Sequence, residues 1–462
     1  MARILALVLG GLCAVSCADH RASVTAALNQ RLVADARHAA LTKSICGAAT
    51  DAACEKRAAE VWKDLNAFYG ARSGSPVWVN GKKPGYAATI ALSSLQRAAE
   101  HGLDPERYGA STLKAELARL TQAGGKQDES AGDLAKFESE VTSALLALGR
   151  DVAVGQPGAP PAGTGDRRRE PPEIATRLAA VVDEGDIATW PDEVRPTHPQ
   201  YAALQAALLK PAAPDARNVI ALNLERWRWM PDDLGEKYVL VNVPSFHVWI
   251  MEHGAPVLDS KAIVGRLGDE TPLFSATMTT VVFSPYWNIP ESIAAGETVP
   301  SILKNPAYLA KNGIEVLRRT SGGVERVDPA SVDWSSESET SDLSLRQRPG
   351  PGNALGHIKF LLPNRHNVYL HDTPSHKLFD KNGRALSHGC VRIDEPVKLA
   401  RYFLADEPEW TEEAITKAMH SGQERGVKLR QPVPVHIVYF TAWAEPDGSV
   451  ALLKDVYGRD RR

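Results

Sequence analysis

The sequence predicts an α+β protein, with a helical N-terminal domain followed by a mainly β domain that carries a long insertion. Two observations carry this. Apolar residues recur at three- and four-residue spacing through the first 155 positions, and strict alternation replaces that pattern after Gly235. A third observation separates the halves: "QPGAPPAGTGDRRREPP", residues 156–172, is rich in Pro and Gly and reads as a linker. At 462 residues the chain exceeds one ordinary core. Its 44% hydrophobic and 24% charged content is that of a globular protein. The net charge of −3 supplies no basic field to recruit nucleic acid.

The first residues, "MARILALVLGGLCAVSCADHRAS", place one Arg before an apolar run that ends in small residues. This predicts a secretory leader over residues 1–18, too short to span a bilayer as a mature helix. Two ends are compatible with it. Cys17 is lipidated in a loose lipoprotein box, the reading favoured here, or cleavage after Ala18 releases the chain. The expected location is therefore periplasmic, with membrane attachment only through a lipid on Cys17. Cys46 and Cys54, eight residues apart, are expected to form a small disulfide loop in an oxidising compartment. Cys390 is then left over, and an unpaired thiol in that setting is either buried or used.

Residues 23–155 are predicted as a helical domain. "VTAALNQRLVADARHAALTKS", "ATIALSSLQRAAEHGLDPERY" and "DLAKFESEVTSALLALGRDV" are amphipathic, and Gly102 and Pro105 stop the second. Phe68, Tyr69 and Trp78 of "FYGARSGSPVWV" are read as core. Residues 156–222 are read as linker with short helices, and Trp227 and Trp229 as packing a helix end against the following domain.

From 223 to 462 the second domain is built of strands such as "KYVLVNVPSFHVWIMEHGAPVLDSKAIVG", "GHIKFLLPN" and "VPVHIVYFTAWAEPDGSVALL". Hairpin turns between them predict a compact sheet or barrel-like sandwich, not βαβ units. Within it, residues 296–350 are polar, Ser-rich and short of periodicity after the helical "SILKNPAYLAKNGIEV". Such an insertion is expected to be a lid or a disordered segment.

The chemistry concentrates in "YLHDTPSHKLFDKNGRALSHGCVRI", residues 369–393. A thiol attacks carbonyls as the thiolate and needs a base or a cation beside it. His388 lies two residues before Cys390, but Gly389 between them signals a turn. His371, nineteen residues upstream at a strand end, is free to meet the sulfur across a sheet. The residues alone also allow zinc through Cys390, His371 and His388, although a fourth ligand is lacking. His376 reads as an exposed loop residue.

"HDT" followed by "SHGCVRI" resembles the signature of the L,D-transpeptidases, whose YkuD-type domain crosslinks bacterial peptidoglycan. "NLERWRWMP", "FSPYWNIP", "PGPGNALGHIKFLLPN" and "DVYGRD" extend the resemblance, and "FYGARSGSPVWV" with "HGLDPERY" is similar to the scaffold domain of the large periplasmic members. The resemblance implies Cys390 as nucleophile and His371 as general base, held by the backbone carbonyl of Asp372. It implies an oxyanion hole from His388, Gly389 and the Cys390 amide. Tyr369, Arg392, Ser387 and Trp287 are implied on the substrate side, with no metal and no cofactor.

The implied reaction attacks the L,D bond of a tetrapeptide stem and forms 3→3 diaminopimelate crosslinks through a thioester. Peptidoglycan stem peptides and carbapenems are the implied partners. Hydrolysis by the same residues, as an L,D-carboxypeptidase or an enzyme releasing wall-linked proteins, and a non-catalytic wall scaffold are the alternatives. Between "HPQYAALQAAL" and "NLERWRW" only a short segment intervenes, so the peptidoglycan-binding module of the large relatives is expected to be missing.

Overall fold

The computed structural model describes residues 21–32, 51–123, 130–157 and 172–460. The leader with Cys13 and Cys17, and the run Arg167–Arg169, lie outside them. Cys54 is disulfide-bonded, and Cys46, its expected partner, also lies outside. No helix of the described residues is long and apolar enough to cross a membrane. The chain divides into two compact units, each described by itself.

The first unit is helical. Helix Ala131–Val154 is its centre, because Leu134, Val141, Leu145, Leu148 and Val152 recur at three, four and seven and are all fully buried. Ser130 caps its start, and Gly155, at φ +82°, ends it. Helix Ala52–Ala71 packs on it, opened by Asp51, whose side chain accepts the Cys54 N–H at 2.8 Å. Phe68, Tyr69 and Trp78 are buried as expected. Glu138, itself fully buried, gathers their turn by accepting from Val77 N at 2.5 Å, Trp78 N at 2.8 Å and Tyr69 Oη at 2.9 Å.

Two sequence expectations change here. Residues 174–232, read as linker and the start of the second domain, belong to the first unit, as do Phe440–Leu453. Ile174, Leu178 and Val181 of helix Ile174–Glu184 join the same core as Leu145 and Trp190. Trp227, expected to face the next domain, instead stacks between His198 at 4.1 Å and Phe440 at 4.3 Å inside the first unit. Short helices between Pro-rich breaks look like linkers locally; only the core they complete reveals their domain.

The second unit, Asp233–Tyr439 with residues from Lys454 onward, is built on a nine-stranded main sheet. Its strands in chain order are β1 Lys237–Asn242, β2 His247–Glu252, β3 Ala255–Gly265, β4 Phe274–Phe283, β5 Trp287–Asn288, β6 Ile314–Thr320, β7 Gly323–Val327, β8 Leu343–Gln347, β9 Ile358–Leu361, β10 Leu370–His371, β11 Ala385–Ser387, β12 Val391–Ile393 and β13 Arg425–Val438. The main sheet runs β11-β3-β12-β10-β9-β4-β13-β1-β2, and β2 also pairs β3, which closes it into a barrel. Most pairs are antiparallel, but β10 with β12, β13 with β1 and β11 with β3 are parallel. Val281, Phe283, Ile358, Phe360, Leu370, Val391 and Val435 fill the core. Helices Pro396–Phe403 and Glu412–Met419 add Leu399 and Ile415 to it.

The insertion is more ordered than its composition predicts. β5-β8-β6-β7 form a separate antiparallel sheet over a small core of Ile289, Ile302, Leu309, Ile314, Val316 and Leu345. A sheet that buries one face over so few apolar side chains leaves a sequence mostly polar, which hides its strands.

Candidate active site

The site sits where β10 and β12 run side by side. Their parallel register sets Leu370 against Val391 and His371 against Arg392, and Val391 N donates to Tyr369 O at 3.2 Å. Leu370 and Val391 point into the barrel core. Strand alternation therefore sends Tyr369, His371, Cys390 and Arg392 together to the opposite face. The tertiary structure thus puts the predicted base on β10 and the predicted nucleophile immediately before the neighbouring strand β12.

His371 is 4% exposed. Its Nδ1 lies 2.5 Å from Asp372 O. A carbonyl can only accept, so Nδ1 carries the proton and Nε2 is the basic nitrogen. Burial, then the charges of Arg392 and Lys359, push the imidazole down to about 3, while the Asp372 carbonyl pulls the other way. The ring is neutral at physiological pH.

Asp372 acts on the imidazole through its backbone, and its carboxylate has other work. Oδ1 accepts Thr373 N and Oδ2 accepts His357 N, each at 2.7 Å. Gly356, at φ +60°, makes room for it, since a Cβ there would stand 2.3 Å from Asp372 Cγ. His376, expected in a loop, is exposed as read but opens a short 3-10 helix, His376–Asp380, with its Nε2 3.5 Å from the same carboxylate.

Cys390 is the free cysteine among the described residues and is half-buried. Burial pushes its thiol up; hydrogen bonding by Tyr369 and the charges of Lys359 and Arg392 oppose this. The turn before it is pinned. Gly389 takes φ +108°, its O accepts Thr271 Oγ1 at 2.8 Å, and Thr271 Oγ1 also accepts Gly265 N at 2.8 Å. Tyr457 Oη accepts Thr271 N and donates to Gly265 O, closing the brace.

The structure gives three of the expected site residues other partners. Ser387, expected beside substrate, is 2% exposed; its hydroxyl donates to Cys390 O at 2.6 Å and accepts Gly389 N at 3.2 Å. It shapes the nucleophile turn. The Gly389 N–H, expected in the oxyanion hole, is engaged by that hydroxyl. The His388 side chain turns to the insertion, where Nε2 meets Glu297 Oε1 at 2.7 Å, with Arg266 Nη2 3.6 Å from the same oxygen. Only its backbone is available to an oxyanion.

Tyr369 lies over the site with its phenol pKa raised by burial and by the Cys390 charge. Trp287, on β5, which precedes the insertion and pairs with its strand β8, bears on that phenol in the opposite sense. The insertion and the sheet it builds thus border the site through Glu297 and Trp287. Arg392 is partly buried, and its Nε has no acceptor among the described residues. Among the described residues no three His, Cys, Asp or Glu side chains converge as a metal site.

Sequence reasoning missed Lys359, Glu297, Thr271 and Gly356. Lys359 pairs with His371 across β9 and β10, and its Nζ sits 3.9 Å from the Tyr369 ring centroid. The alternation of "HIKF" held the signal, since Ile358 and Phe360 face the core. Glu297 carries no local signal.

Comparison with known proteins finds two domain families in the chain. Residues 236–415 match the L,D-transpeptidase catalytic domain of the YkuD family, and residues 63–208 match the Scaffold domain. A Haemophilus influenzae protein whose name places it among the L,D-transpeptidases is 35% identical over 243 residues, covering 53% of this chain. The chain spans about half of that relative, 48% of its length. The solved "Structure of the Ldtfm-avibactam carbamoyl enzyme" covers 44% of this chain and 49% of its own at 12% identity and a TM-score of 0.20, too low to bear on fold or chemistry. The chain carries a Scaffold domain followed by a YkuD-type L,D-transpeptidase catalytic domain.

Proposed function

We propose that the protein is a cysteine-dependent acyltransferase that forms 3→3 diaminopimelate crosslinks from tetrapeptide stems outside the cytoplasm. The observation that carries this reading is the parallel register of β10 and β12, which puts the neutral imidazole of His371, its Nδ1 tied to a carbonyl, on the strand next to the one that the free, half-buried Cys390 leads into. Cys390 Sγ attacks the carbonyl of the L,D bond as His371 Nε2 takes the thiol proton. The Cys390 N–H supports the oxyanion, with Arg392 nearby. Collapse breaks the C–N bond, His371 returns the proton to the departing D-Ala amine, and a thioester remains. The diaminopimelate amine of a second stem then attacks, gives its proton to His371 and releases the thiolate.

The thioester conserves acyl-transfer potential where no ATP is at hand. A strained β-lactam carbonyl presents the same electrophile, so carbapenems are expected to acylate Cys390. The borders formed by Trp287 and Glu297 support a role for the insertion in limiting water, which competes with the acceptor amine. The leader-like first residues support the extracytoplasmic assignment.

The test is incubation with disaccharide-tetrapeptide, followed by mass analysis. Crosslinked dimer carrying a tripeptide donor supports crosslinking. Monomeric tripeptide alone reassigns the enzyme to L,D-carboxypeptidase chemistry, and loss of neither product in Cys390→Ala removes the nucleophile.

A further inference from the structure

We infer that Lys359 is a working cation of this site, forming with Arg392 a two-cation receptor for the negative charge on the Cys390 sulfur. The inference rests on Cys390 being the nucleophile. The register builds the receptor. Lys359 stands opposite His371, and His371 stands opposite Arg392, so the three form one row across β9, β10 and β12. Tyr369 and Cys390 form the adjacent row on the same face. β10 lies between β9 and β12, so the backbones of Lys359 and Cys390 stand at least two strand spacings apart, about 9.6 Å, and Lys359 reaches towards the thiol over Tyr369, whose ring holds its Nζ at 3.9 Å.

Three facts separate this from a lysine that merely fills space. First, Lys359 Nζ is held on the Tyr369 ring at 3.9 Å, which positions a mobile side chain without neutralising its charge. Second, among the described residues neither Lys359 nor Arg392 has a carboxylate in ion-pair contact, and Arg392 Nε is buried without an acceptor. Glu424, the acid that acts on Lys359 at longer range, is engaged by Tyr286 N at 2.7 Å. Third, both cations are partly buried. Unpaired, partly desolvated cations are costly unless an anion completes them, and the sulfur is the group placed to do so. The titratable and charged groups that act on the thiol are then Tyr369, Lys359 and Arg392, with neutral His371 in the row between the cations, while the neutral Asn367 carbonyl accepts from Sγ at 3.9 Å. The electrostatics agree, since Lys359 and Arg392 each ease ionisation of the thiol and the thiolate in turn favours both cations.

An opposite charge at this range moves a pKa by 1–3 units or so, and partial exposure selects the lower end. Lys359→Met is therefore expected to raise the apparent pKa of Cys390 by about one unit and to slow its alkylation at pH 7.5 about tenfold, because the thiolate is the reactive form. Lys359→Arg is expected to restore most of the rate. The assay is the pH dependence of iodoacetamide modification on the full chain, with the adduct mapped to Cys390 by mass spectrometry. Iodoacetamide is neutral, so lost steering of the reagent does not mimic the effect. Lys359→Gln provides a second neutral replacement if Met disturbs folding.

An unchanged pH midpoint in a folded neutral variant overturns the inference and leaves Lys359 as a packing partner of Tyr369. A shift that Lys359→Arg fails to reverse overturns it equally, since charge is then not the cause. Because alkylation reports the thiol itself, a failure of Cys390 as nucleophile would appear separately, as unimpaired product formation by Cys390→Ala.

Discussion

Asp372→Asn is the most informative substitution in the catalytic unit, because it changes one oxygen and keeps the shape. Asp372 is 3% exposed, and its two oxygens are each spent on a backbone N–H at 2.7 Å, from Thr373 and His357. An amide offers one acceptor where two are needed and points an NH2 at the other donor. A hydrogen bond to a charged group contributes about 1.5–3 kcal/mol, and a buried donor left unsatisfied costs about 1–3 kcal/mol. The expected loss is about 2–3 kcal/mol, which lowers the melting midpoint of a unit this size by about 4–12 °C. The same peptide carries the carbonyl that holds His371 Nδ1, so acylation should also slow, by about tenfold. The assay pairs thermal unfolding, followed by tryptophan fluorescence, with the rate of carbapenem acyl-enzyme formation by mass spectrometry. Gly356→Ala should reproduce both effects from the other side, because its Cβ would stand 2.3 Å from Asp372 Cγ at a φ of +60°. Wild-type melting and acylation in Asp372→Asn would refute the claim that this carboxylate splints the base.

Three further outcomes are expected. His371 is pushed down to about 3, so its base form is present above about pH 4 and acylation should hold its rate from pH 5 to 8; a decline with a midpoint near 6.5, an ordinary histidine value, would contradict this. The same depression has a stability consequence: the contribution of neutral His371 is complete above the unfolded value near 6.5 and falls as pH drops towards 3, which urea midpoints across that range will read. Glu297→Gln should change stability by less than about 1 kcal/mol, because Glu297 is 52% exposed, yet speed deuterium exchange in the Ser387–Cys390 turn; unaltered exchange would mean that the 2.7 Å contact with His388 does not steady it. Glu138→Leu strips the acceptor from Val77 N, Trp78 N and Tyr69 Oη and should cost the helical unit about 3–5 kcal/mol by chemical denaturation, with a loss under 1 kcal/mol counting against its role.

What the sequence determined by itself is local or periodic. Helical spacing marked the first unit and alternation the second, because each period follows from the geometry of one element. "HDT" and "SHGCVRI" were readable because each lies on a short continuous stretch whose residue types already limit the chemistry: a thiol, an imidazole and a glycine able to take positive φ. The rest required the fold. Residues 174–232 and 440–453 join the helical unit through Trp227 and its stacked partners, which are far apart in the chain. Lys359 became part of the site only when β9 paired with β10, and Ser387 was turned inward by a bond to Cys390 O. Glu297 reached His388 across a sequence separation of 91 positions. Strand register and loop closure decide such contacts, and both are set by the total of core burial over the barrel, a quantity that no single segment carries.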